Sequence, residues 1–179
     1  MPTPFQHLIY ADRVLRDPEL APQFRYLLRQ EIGPYLLGNT AADVQVITGA
    51  PRLSTHFYRL RTDHQLLTGP QGSPVTKMLA TFGDLCPLSS AHAAFLAGYV
   101  VHLIWDEIWA WDIFVPYYRD SARWPDRKSL FVHHNALRVW LDQQAYYELR
   151  TNPQASLRTN PQTNPRRRTT RAASSHRAS

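Results

Sequence analysis

Cysteine is nearly absent: Cys86 is the only one in 179 residues. An intrachain disulfide is thereby excluded, and so is a zinc site built on paired thiolates. Long apolar runs are missing too. No stretch approaches about 18 uninterrupted apolar residues, so no transmembrane helix is expected. The amino-terminal MPTPFQHLIYADRVLRDP lacks a basic start followed by an apolar run, so no signal peptide is expected and the cytoplasm is the default compartment. Strand-like alternation of apolar and polar residues is almost absent. Acidic residues stop at Glu148, while seven arginines follow from Arg150 onward. The first 149 residues hold the other 13 basic residues against all 14 acidic ones, which makes the body nearly neutral. Its charge therefore implies no nucleic-acid-binding face; the net charge of +6 describes the tail.

What is present is apolar and aromatic matter in helical patterns: 44% of residues are hydrophobic and 12% aromatic. Phe5–Arg16 reads as a helix, with Thr3 as cap, Pro4 in the first turn and Leu8, Ala11 and Leu15 as its stripe. DPELAPQFRYLLRQ is a second, with Phe24, Leu27 and Leu28 on the apolar face. EIGPYLLGNTAADVQ is expected to break at Gly33-Pro34 and Gly38-Asn39, leaving Asp43 on or beside a turn. Residues 45–74 are the least regular and contain His56. The strongest helix runs from Ser89 to about Phe114. The last begins near Ser129 as its cap, with Leu130, Ala136, Leu137, Trp140 and Leu141 facing inward. An all-α multi-helix bundle follows, in one domain over residues 1–149. Residues 150–179 repeat RTNPQ, carry no aromatic residue and form a basic low-complexity tail expected to be disordered.

The chemistry concentrates in AGYVVHLIWDEIWAWD. His102 and Asp106 are four residues apart, which on a helix puts them on one face amid three tryptophans. Burying such a pair is costly unless something binds it. His56 lies in STHFYRL, flanked by a hydroxyl residue and two aromatics; Asp43 stands among uncharged residues in GNTAADVQ. His7 sits one position from the first helix's apolar stripe. Each has an ordinary alternative: a hydrogen-bonded core histidine, an i,i+4 helical pair, a helix cap. In combination, Asp43, His56, His102 and Asp106 supply the four nitrogen and oxygen donors that zinc takes.

Four segments, PFQHLIYADRVL, LLGNTAADVQ, THFY and HAAFLAGYVVHLIWDEIW, together resemble the zinc-dependent phospholipase C family, whose fold is related to that of the fungal single-strand-specific zinc nucleases. The resemblance runs over roughly residues 4–142. It implies an all-helical fold, a zinc cluster of up to three ions and hydrolysis of phosphodiester bonds in phospholipids or nucleic acids. It further implies that Asp43, His56, His102 and Asp106 hold one zinc. His7 would hold another, with Asp106 bridging the two, and Asp43 would orient or deprotonate the attacking water. A third ion would need two histidines and a glutamate. Asp112 and His133 or His134 stand near those places, but Leu137 and Arg138 stand where the acid should be.

Two functions are therefore carried forward. One is a zinc-dependent hydrolase acting on phospholipid or another phosphodiester, with nucleic acid as the second substrate class. The other is a non-catalytic helical protein with one structural zinc, whose basic tail binds a polyanion. The sequence does not fix an oligomeric state.

Overall fold

A computed structural model describes residues 2–58, 72–82, 89–119 and 123–152, and among these every regular element is helical. The order is α1 (Pro4–Arg16), α2 (Pro22–Gln30), α3 (Ile32–Ala41), a 3-10 turn (Ala42–Val44), α4 (Gln45–Thr48), α5 (Arg52–His56), α6 (Pro74–Thr81), α7 (Ser90–Ile108), π-helical turns (Trp109–Arg119) and α8 (Arg127–Thr151). The tail expected from residue 150 onward lies almost wholly outside the described residues.

The centre of the fold is the pairing of α3 with α7. Two glycines let the helices approach closely. A Cβ on Gly38 would overlap the Phe95 carbonyl, and one on Gly98 would overlap the Tyr35 carbonyl while lying 2.9 Å from the Asn39 nitrogen. This explains why the expected break at Gly38-Asn39 does not occur: the glycine serves packing, not a turn. The break expected at Gly33-Pro34 falls just before them, at the non-helical Glu31 between α2 and α3. Pro34 falls in the first turn of α3, where its missing N–H has no intrahelical partner to lose.

α1 lies against α3, α7 and α8. Its buried side carries Ile9, Ala11 and Leu15, which join Leu28, Tyr35 and Ala94 in the main core. Thr3 is not the side-chain cap expected of it; its hydroxyl donates instead to Asp142 of α8, and Gln6 donates to the Leu141 carbonyl. A smaller core of Phe57, Met78 and Leu103 joins α6 to the middle of α7.

The other differences from expectation have local causes. Regular α-helix ends at Ile108 and gives way to the wider turns of Trp109–Arg119, which contain Pro116. A proline there donates no N–H and crowds the carbonyl four residues back. Asp126, not Ser129, caps α8, its carboxylate accepting the Ser129 N–H at 2.7 Å. Trp140 and Phe24 are each 56% exposed. On α8 Leu130, His134 and Ala145 are buried and Leu137 and Leu141 half-buried, whereas Ala136 and Trp140 of the expected inward face are exposed.

Candidate metal centre

Five polar side chains from four separate elements converge where α1, the 3-10 turn, α5 and α7 meet. α1 brings His7, the turn brings Asp43, the last residue of α5 is His56, and α7 brings His102 and Asp106. Four of them are buried to within 1% exposure, and Asp43 alone is partly open at 23%. His56 Nε2 lies 3.2 Å from Asp106 Oδ2, 3.3 Å from Asp43 Oδ1 and 3.2 Å from His102 Nε2. His7 Nε2 lies 3.7 Å from Asp106 Oδ1 and 3.9 Å from Asp43 Oδ2. The donors form two overlapping triads, His7–Asp43–His102 and His56–His102–Asp106, sharing His102. His7 therefore stands closer to the set than its sequence position, apart from the other four, suggests.

Local structure aims these rings. The Asn39 carbonyl can only accept, so His102 Nδ1, 2.8 Å away, carries the proton and Nε2 presents a lone pair to the cluster. The Thr55 hydroxyl is hydrogen-bonded to His56 Nδ1 at 2.8 Å, which turns His56 Nε2 inward as well. Tyr99 fixes this corner by donating to the Thr55 carbonyl at 2.6 Å. Phe57 ends α5 immediately after His56 with φ of 62°, a left-handed conformation that costs a non-glycine residue about 1–3 kcal/mol and is tolerated mainly where the surroundings demand it. Hydrogen bonding of one imidazole nitrogen to set the direction of the other is the usual support for a metal-ligating histidine.

Burial, with the neighbouring His102 adding to it, pushes the pKa of His7 down to about 3 against the pull of Asp106 and Asp43. Burial likewise lowers His102. Both rings are neutral at pH 7. Burial opposes the charge of Asp106, but its hydrogen bond with His56 and its ion pair with Arg52 favour the ionised form and hold its pKa below the ordinary carboxylate value. Asp43 follows the same pattern and is held below its ordinary value. Two ionised carboxylates thus face the neutral rings of His7 and His102. His7 Nδ1 and Nε2 and Asp106 Oδ1 are buried with no hydrogen-bond partner. Orphaned nitrogen and oxygen donors within ligand distance of one another suit a zinc ion, which takes this donor type.

Arg52 is the residue that the sequence did not single out. Its guanidinium lies 2.6 Å from Asp106 Oδ2. A lone arginine after Gly49-Ala50-Pro51 carries no signature of such a partner; the pairing arises where α5 meets Asp106 of α7. Asn39 and Thr55 were also unmarked, apart from the hydroxyl beside His56.

The residues considered for a further metal go elsewhere. His134 Nε2 accepts the Trp109 indole N–H at 3.3 Å, and His133 Nδ1 donates to the Ser129 carbonyl at 2.7 Å. Asp112 is exposed and joins no metal-ligating group among the described residues. His134 is surrounded by Trp109, Phe114 and Tyr118, as part of an aromatic layer.

Among the described residues, no helix is long and apolar enough to cross a membrane. No curated protein and no solved structure gives a significant match to the chain. The family described as zinc dependent phospholipase C matches residues 6–171, which takes in all four converging segments and extends past α8. The chain belongs to the zinc-dependent phospholipase C family.

Proposed function

We propose that the protein is a zinc-dependent hydrolase of phosphodiester bonds, with phospholipid as the first substrate class and nucleic acid as the second. His7, Asp43, His56, His102 and Asp106 hold the metal, as at least one zinc ion. Zinc bound there lowers the pKa of a water toward neutrality and offsets charge developing on phosphate oxygens.

The chain's own groups do the rest. Asp43 is ionised at neutral pH and is the one carboxylate of the set that solvent reaches, so it is placed to take the proton of the attacking water. Asp106, His56 and His102 are closed to solvent and hold position. Arg52 keeps Asp106 ionised and oriented through its short ion pair.

The exposure of Asp43 is the observation that carries this reading. A purely structural zinc is normally closed on all sides, whereas a catalytic one keeps an open position. The helical domain is taken as residues 1–149, with the basic tail from 150 as an accessory. The test is hydrolysis of a chromogenic phosphodiester by the full chain supplied with zinc. Turnover should fall about 100-fold or more in Asp43→Asn. Zinc bound in full with no turnover in the unaltered chain would support the structural-zinc alternative instead.

A further inference from the structure

Between Asp43 and His56 the chain leaves the metal centre and returns to it. His56 Nε2 and Asp43 Oδ1, 3.3 Å apart, close the base of this excursion. Its outer end is apolar and open. Val44 is 45% exposed, Val46 78% and Ile47 88%, with Leu53 at 40% on the way back. No other large hydrophobic side chain among the described residues is as exposed as Val46 and Ile47. Between Val44 and Tyr58 the sequence has no acidic residue, and its one arginine, Arg52, turns inward to Asp106. The tip also closes its own polar groups. Gly49, in the left-handed region with φ of 71°, donates its N–H to the Gln45 carbonyl at 2.9 Å. The Thr48 hydroxyl donates to the Val44 carbonyl at 3.2 Å and accepts the Ala50 N–H at 3.3 Å. Backbone groups paired in this way lose little on leaving water, which is the condition for a chain to enter lipid.

We propose that the Val44–Ile47 tip seats in the surface of an anionic phospholipid membrane and so brings the open carboxylate of Asp43 to the headgroups. The assignment rests on the hydrolase reading for its use, but docking itself needs no turnover. Val46 and Ile47 are consecutive on α4, so they point about 100° apart and make a convex tip, not one flat face. A fluid acyl layer accepts such a tip, whereas a protein partner would need a hollow of matching shape. Charge also favours lipid. An acid-free tip meets no repulsion from anionic headgroups, and the sequence from Arg150 onward adds seven arginines and no acidic residue. A small apolar insertion anchors a protein weakly, and a basic segment of the same chain supplies the second, electrostatic attraction. Because both limbs of the excursion are rooted in the cluster, seating the tip also places the metal centre beside the membrane.

Flotation of the full chain, supplied with zinc, on vesicles of phosphatidylcholine and phosphatidylserine in equal parts tests this. Val46→Gln and Ile47→Gln made together should weaken vesicle binding about tenfold or more, with zinc content unchanged. Val139→Gln with Trp140→Gln, a pair on α8 that is 56% exposed at each residue, should bind as the unaltered chain does. Equal binding by the unaltered chain and the tip variant overturns the proposal, because the arginines alone would then account for it. No binding by the unaltered chain overturns it too. So does an equal loss in the α8 variant, which would mean general apolar adhesion. An unaltered chain that sediments as a dimer and becomes monomeric in the tip variant assigns the tip to a second copy and overturns lipid docking. The two proposals fail separately. Turnover sensitive to Asp43→Asn beside tip-independent flotation keeps the hydrolase and removes the docking tip. Tip-dependent flotation without turnover does the reverse.

Discussion

His7 and His102 stack face to face, ring centroids 3.8 Å apart and planes within 13°, although they come from the first and seventh helices. Two protonated imidazoles would repel at that separation, and burial keeps both neutral. The stack serves packing and also leaves the His7 nitrogens free for a cation. Replacing His7 separates the two roles. His7→Phe should keep the ring stack and most of the stability while bound zinc falls. His7→Ala should lose zinc and also about 2–4 kcal/mol of stability through the cavity it leaves. Metal analysis and urea unfolding on the same samples check this. Full zinc content in His7→Phe would show that His7 is only a packing residue.

The α3–α7 crossing predicts intolerance at two small residues. In Gly98→Ala the new methyl meets the Tyr35 carbonyl and the Asn39 nitrogen, and in Gly38→Ala it meets the Phe95 carbonyl. Backbone cannot yield as a flexible side chain does, so each substitution should cost about 2–3 kcal/mol or more. Gly33→Ala, which has open space around its Cβ position, should cost less. Thermal melting of the three variants checks the order; equal midpoints would contradict the close crossing.

His134 sets an acid limit that is independent of metal. Burial, helped by nearby Arg138, brings its pKa to about 4, and its neutral ring accepts the Trp109 N–H. The unfolded chain then binds more protons than the folded one between about pH 6.5 and 4, so stability is complete above that window and falls as pH drops through it. The loss should reach about 2 kcal/mol at pH 5. His134→Gln, which retains an acceptor, should show a shallower fall between pH 7 and 5 in denaturant titrations. An unchanged slope would remove His134 from the acid response.

Loss of the α8 cap provides a smaller check. Asp126→Ala removes the acceptor for the Ser129 N–H and should lower stability slightly. Urea midpoints measure it, and no change would mean that the start of α8 contributes nothing to stability.

Much of the site is legible in the sequence because its residues are out of place there. His102 and Asp106 stand out as ionisable groups inside an apolar helix, and Asp43 as a lone carboxylate beside a turn. Helix periodicity likewise shows the all-α class, since strand alternation is missing. What cannot be seen are the relations made by packing. Gly38 looks like a breaker until Phe95 lies against it. Arg52 looks solvated until α5 meets Asp106. His134 looks like a ligand until Trp109 donates to it, and Trp140 looks like core until α8 presents another side to α1.

The central claim is that the His–Asp cluster holds zinc through nitrogen and oxygen alone. X-ray absorption at the zinc edge, on the full chain loaded with one equivalent, tests it most directly. Ligands are expected at about 2.0–2.1 Å with the outer-shell scattering of at least two imidazoles, diminished in His102→Ala. Failure to retain zinc, or a sulfur ligand at about 2.3 Å from Cys86, would contradict it.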